Sequence, residues 1–165
     1  MSSTLEYLRL SANIAECSSS AKTREIIRLA KIDVEKGTTI SELVYWCCYY
    51  NPKKEALQQL IELETESEER LVRSIFEFRS HQGINCLMSL FQMPTKYTLK
   101  SGKLPFGPLH MLQNIEDSFF HLISLAKSSG LDLEKLLNHT MKNGDTLIAY
   151  ASIYCEKVTM YLREK

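Results

Sequence analysis

Apolar residues recur at three- and four-residue spacing along most of the chain, and clear period-two alternation is absent, so the pattern predicts helices joined by short polar turns. Leu5, Leu8, Ile14 and Ala15 mark a first helix, and Ile26, Ile27, Leu29 and Ala30 a second after the polar run Cys17-Ser18-Ser19-Ser20. Lys36-Gly37-Thr38-Thr39 closes that segment. A cap at Thr39 or Ser41 opens ISELVYWCCYY, which Asn51-Pro52 terminates, because proline suits a turn or a first helical position but not a helix interior. From Lys53 one long helical pattern follows. Leu57, Leu60, Ile61 and Leu63 form its first stripe, and Leu71, Val72, Ile75, Phe76 and Phe78 a second beyond an acidic stretch. There Glu66–Arg70 and Glu69–Arg73 stand four apart, the spacing of surface ion pairs on a solvated helix.

Gly83-Ile84-Asn85 opens CLMSLFQ, a helix of two turns that Pro94 ends. Residues 93–108 hold three of the four prolines and two of the six glycines, which predicts one long irregular loop. Helix resumes at Leu109 or Ile115 and runs to Ala126, with Ser128-Ser129-Gly130 as its C-cap. Another turn or short helix leads to Asn143-Gly144, a reversal signal. Asp145 or Thr146 then caps a helical pattern of Leu147, Ile148, Ala151, Cys155, Val158 and Leu162. Small Ala149 and Ala151 let neighbouring layers approach closely. The expectation is an all-α single domain over 1–165, with 93–108 as an inserted loop.

Helix, turn, helix, turn is the rhythm of a repeat protein. Candidate first helices start at Ser41, Asn85, Gly107 and Thr146, separated by 44, 22 and 39 positions. None equals the roughly 33 residues of an ankyrin repeat. With the proline-rich segment treated as an insertion, Thr146 follows Asn85 by 61 positions as one expanded unit. Asn143-Gly144-Asp145-Thr146-Leu147-Ile148-Ala149-Tyr150-Ala151 resembles the turn and first helix of an ankyrin repeat. Gly107-Pro108-Leu109-His110 is similar to the family's Thr-Pro-Leu-His core, with Gly at the first position. Residues 119–132 are similar to its second helix and following loop. No segment carries the complete motif: Thr146 lacks the Pro and His that follow it in the family, and His110 lacks the Thr. The resemblance implies stacked helix-turn-helix pairs, an ankyrin-like solenoid, and a function of binding proteins, as an adaptor or an inhibitor-of-κB-like regulator.

Composition adds limits. Hydrophobic residues make up 44% and charged residues 24%, with formal net charge +0, so nothing in the balance favours a polyanion and nucleic acid is not the expected partner. Glu6 and Arg9 interrupt the first apolar pattern, which argues against a signal peptide. No run approaches the roughly 18 apolar residues of a membrane span. Five cysteines, Cys17, Cys47, Cys48, Cys86 and Cys155, read as reduced thiols in a cytoplasmic or nuclear protein. Cys47 and Cys48 point to different sides of a helix, which suits core packing for one of them.

Chemistry is sparse. Phosphate-binding glycine loops, His-Glu-x-x-His and Cys-x-x-Cys are all missing, and no cofactor or metal is expected. His81, His110, His121 and His139 are scattered. Two features stand out as partner-binding candidates. Tyr45, Trp46, Tyr49 and Tyr50 cluster on one short helix, and aromatic residues are enriched at binding hot spots. The loop candidate combines Lys96, Lys100 and Lys103 with Tyr97 and Phe106, a set suited to an acidic or phosphorylated partner. The expected function is therefore non-enzymatic binding of another protein. Its rivals are an all-α homo-oligomer and a small helical enzyme using Cys86 or His110.

Overall fold

A computed structural model of the chain describes residues 2–11, 20–101, 109–153 and 155–164, with side chains described in all of these except 95–101 and 109–111. The described residues form ten helices: α1 (Ser3–Leu10), α2 (Ser20–Glu35), α3 (Ile40–Tyr50), α4 (Lys54–Ile61), α5 (Glu68–Glu77), α6 (Cys86–Ser101), α7 (Leu109–Ser128), α8 (Leu133–Leu137), α9 (Leu147–Ala151) and α10 (Glu156–Arg163). They hold no strand, only an isolated antiparallel bridge between Thr140 and Thr146.

Helix ends follow local chemistry. α2 and α7 stop at Gly37 and Gly130, each at positive φ, with paired bonds back into the last turn. Thr38 N–H reaches the Asp33 carbonyl at 3.0 Å and Gly37 N–H the Val34 carbonyl at 3.1 Å; Leu131 and Gly130 bond Ala126 and Lys127 in the same pattern. This is the Schellman closure, in which a residue without Cβ adopts the left-handed conformation and satisfies orphan carbonyls. At the other ends, hydroxyl or amide side chains of Ser2, Thr39, Ser67, Asn85 and Thr146 accept N–H groups of the first turns. Thr146, rather than Asp145, caps α9.

The helices pair in sequence: α1 with α2, α3 with α4, α6 with α7, α9 with α10. First members also neighbour one another in order, α1 to α3 to α6 to α9, and so do the second members α2, α4, α7 and α10. α5 fits between α3 and α7. The core runs through these contacts, with Tyr45, Phe76, Phe91 and Phe119 the largest fully buried side chains. Both Cys47 and Cys48 are buried, not one of the pair, because α3 is packed by α1, α4, α5 and α6 on several sides.

α1 is held to α2 at both ends. Asp33, 2% exposed, accepts Thr4 N–H at 2.7 Å, Thr4 Oγ1 at 2.5 Å and Ser3 N–H at 3.0 Å. The carboxylate thus sits at the α1 N-terminus, where free N–H groups and the helix dipole favour negative charge. Lys22 Nζ donates to the Ser11 carbonyl at the other end, 2.8 Å away.

Three expectations are corrected. Pro94 does not end α6, which continues to Ser101, so residues 93–101 are helical and not loop. A proline removes one backbone donor, but here the first two turns are anchored by fully buried Cys86, Leu87, Met88, Leu90 and Phe91. Residues 102–108, the rest of that loop candidate, lie outside the described residues, as do Ile14 and Ala15 of the first helical stripe. The long pattern from Lys53 divides into α4 and α5 at residues 62–67, where Ser67 caps a new helix and Glu64 Oε1 accepts Thr65 and Glu66 N–H. Glu66 therefore precedes the helix, and of the two expected pairs Glu69–Arg73 forms, at 3.7 Å.

Candidate interaction cleft

The aromatic run on α3 divides by face. Tyr45 points into the core at 2% exposure, while Trp46, Tyr49 and Tyr50 are half-buried. The rings form one contiguous set. Tyr45 meets Trp46 edge-on at 4.9 Å and Phe78 at 5.1 Å; Trp46 stacks on Tyr50 at 6.0 Å, and Tyr49 meets Tyr50 at 4.7 Å. Such offset and edge contacts are each worth about 0.5–1.5 kcal/mol beyond area burial, so the set is a firm platform. Burial holds the Tyr45 phenol above its ordinary value, so it stays a neutral hydroxyl.

Across from these rings lies the turn before α6, built on the same plan as the turn before α9. Ser80 N–H bonds the Ile84 carbonyl at 3.1 Å and Gly83 N–H the Ser80 carbonyl at 3.0 Å. Sixty-one positions later Met141 bonds Asp145 and Gly144 bonds Met141, both at 2.9 Å. Gly83 and Gly144 have φ of +79° and +89°, and the residue two beyond each, Asn85 and Thr146, caps the next helix. The turn before α3 shares the glycine, at φ +102°, the Gly37-to-Val34 bond and the cap at Thr39.

The two later turns are bonded to each other. Lys142 N–H donates to the Gln82 carbonyl at 3.0 Å, and His139 Nε2 donates to the Gly83 carbonyl at 2.7 Å, which fixes that histidine's proton on Nε2. A cleft of about 670 Å³ separates the α3 rings from this joined pair, with Phe78, Arg79 and His81 on one wall and Lys142 at the tip. Its charged lining is Arg79 and Lys142 against Glu42, with His81 and the hydroxyls of Tyr45, Tyr49 and Tyr50 as further titratable groups.

No known protein family, curated protein or solved structure matches this chain.

Arg79 is the least expected member of the cleft. Its Nη1 donates to the Phe76 carbonyl and, at 2.9 Å, to the Phe78 carbonyl, closing the end of α5. These bonds hold the guanidinium in place, half-buried in the wall, and it forms no ion pair with a carboxylate among the described residues. Burial lowers its proton affinity below the ordinary value, only partly offset by Cys86 and, to a lesser extent, Glu77 nearby. A second, smaller cleft of about 270 Å³ lies on its other side, with Arg73, Glu77, Asp132, Lys135 and His139 as its remaining charged and imidazole lining.

The remaining sequence candidates lie elsewhere. Lys96, Tyr97 and Lys100 fall on the later part of α6, with side chains outside the described residues, and Lys103 and Phe106 are outside them altogether. The side chain of His110 is likewise undescribed. Cys86 is fully buried, and burial pushes its thiol up to about 12, so it is protonated and shielded at neutral pH. Among the described residues there is no cluster of three His, Cys, Asp or Glu placed to hold a metal, and no helix long and apolar enough to cross a membrane. The four α3 aromatics proposed from the sequence line the larger cleft, together with Phe78, Arg79, His81 and Lys142, which the sequence did not single out as binding residues. The signal that places them was present in the triplets Gly37-Thr38-Thr39, Gly83-Ile84-Asn85 and Gly144-Asp145-Thr146, which share a glycine two positions before a capping side chain.

Proposed function

We propose that this chain is a divergent ankyrin-like repeat protein that binds another protein in the cleft between α3 and the turns preceding α6 and α9, without turnover. The observation that carries the reading is the recurring unit: a positive-φ glycine, a cap two residues later, and a helix that neighbours the corresponding helix of the previous unit. Two such turns joined by the Lys142–Gln82 bond give adjacent units a continuous edge. Stacked units bury a shared core and leave an extended surface of turns and first helices, which suits recognition of a polypeptide. The aromatic platform on that surface supplies the rigid, amphipathic contact area from which hot spots are made. An adaptor or inhibitor acting by occupancy needs nothing more.

The test is a comparative pull-down using purified wild type and a Tyr49→Ala/Tyr50→Ala variant, with captured proteins identified and folding checked by circular dichroism. Both residues are half-buried on the cleft side, so the variant is expected to stay helical and lose a partner that wild type retains. Equal capture by both forms refutes the cleft as the binding surface.

A further inference from the structure

Arg79 poses a question that the packing does not answer. A half-buried cation is costly unless an anion or several acceptors compensate it. Here one nitrogen of the fork, Nη1, is spent on two carbonyls, while Nε and Nη2 have no hydrogen-bond partner among the described residues. The guanidinium is thereby held with donors to spare in the wall between two clefts: the larger carries Glu42, His81, Lys142 and the tyrosines of α3, and the smaller Arg73, Glu77, Asp132, Lys135 and His139. An arginine fork presented this way matches a carboxylate, which accepts two parallel N–H bonds. The adjoining rings of Trp46, Tyr49 and Tyr50 match an apolar side chain or the flat face of an extended backbone.

Resting on the protein-binding reading above, we infer that Arg79 receives an Asp or Glu carboxylate from an extended acidic segment of the partner, whose neighbouring apolar residue lies on the α3 rings. Lys142 flanks this contact and raises the local concentration of acidic chain. Glu42, across the cleft, disfavours a segment with acidic residues along its whole length. The recognised pattern is one carboxylate beside one or two apolar residues.

A displayed library of random dodecapeptides, selected on the intact purified chain, tests this directly. In wild type, Asp and Glu are expected to be enriched at one position next to an enriched apolar or aromatic position. The chain has a single tryptophan, Trp46, so a selected peptide binding in this cleft changes the protein's intrinsic emission, and affinities follow from titration. Replacing the peptide's acidic residue by its amide should weaken binding about tenfold or more, the scale of a charge-assisted bond at a partly buried site. Arg79→Gln should abolish that difference and Arg79→Lys retain part of it. Lys142→Glu, an exposed change that leaves the α5 end intact, should reduce acid preference by several-fold and serves if Arg79→Gln does not fold. Peptides bound without acid preference, or a preference unchanged in both Arg79→Gln and Lys142→Glu, overturn the inference. A partner lost from the Tyr49→Ala/Tyr50→Ala pull-down, together with peptides of no charge preference, leaves the binding module standing and removes only the carboxylate contact.

Discussion

Asp33 and Arg79 are both charges taken partly out of water, and the fold treats them oppositely. Burial pushes the Asp33 carboxyl upward, but the three donors of Ser3 and Thr4, with Lys36 nearby, outweigh it and leave the group below its ordinary value. The charged form is the one the fold wants, and it fastens α1. At Arg79 burial prevails over Cys86 and Glu77, and the protonated form is less favoured than in water. A charge fully answered from within is structural; one left short of partners beside an open cleft has capacity for a ligand.

The sharpest way to break this contrast is Asp33→Ala. It leaves two N–H groups and a hydroxyl without their acceptor, and should cost about 3 kcal/mol, combining the loss of a cap with unsatisfied donors. For a chain of this size that lowers Tm by roughly 6–12 °C. Peptide selection at the cleft should be unchanged, since α1 and α2 do not line it. A Tm shift under a degree would mean that Asp33 is not the fastening.

Next come the turns. Gly83→Ala and Gly144→Ala both force a Cβ into positive φ, at about 1 kcal/mol or more each. Only at Gly83 does the added carbon also meet a neighbour, the Lys142 backbone nitrogen at 3.4 Å, across the bond that joins the two turns. Gly83→Ala should therefore be the more destabilising by a few tenths of a kcal/mol in urea unfolding. It should also weaken cleft binding, which Gly144→Ala should not. Equal effects would show that the turns act independently. Arg79→Gln should be milder still. Losing its carbonyl contacts at the α5 end costs about 1 kcal/mol at most, because removal of the charge also relieves its desolvation. A loss of 3 kcal/mol would make Arg79 structural, like Asp33.

The stop and cap signals at Gly37, Thr39, Asn51-Pro52, Gly130 and Thr146 were legible in the sequence, because each is decided within one turn by local sterics and one hydrogen bond. Pro94 was misread for a physical reason: its local preference against helix is overridden by burial of the preceding two turns, a tertiary effect with no local mark. The α4–α5 break, and the break between α9 and α10 within the pattern from Leu147 to Leu162, were missed because the apolar stripe continues through each while the helix does not. Of the cleft, half could be read. The four α3 aromatics announce themselves by composition, whereas Arg79, His81 and Lys142 join them only because turns 61 positions apart are bonded side by side.

The smallest effect separates two pH windows. His121, half-buried on α7, has its Nε2 buried with no partner among the described residues, and burial, with Lys54 of α4, lowers its proton affinity while Glu55 opposes. The unfolded chain then binds a proton near the ordinary value of 6.5, before the folded chain does. Stability is accordingly full above that pH and declines as pH falls through the folded value. Asp33 has the same sign in a lower window: its contribution is present above 3.8, the ordinary carboxyl value, and is lost as pH falls below it. Urea midpoints of wild type should drop between pH 7 and 5, less so in His121→Gln, while the gap between wild type and Asp33→Asn should stay constant there and close only below about pH 4. Parallel slopes for wild type and His121→Gln would mean that the imidazole finds an acceptor in solution and that the packing of α7 on α4 is insensitive to its charge.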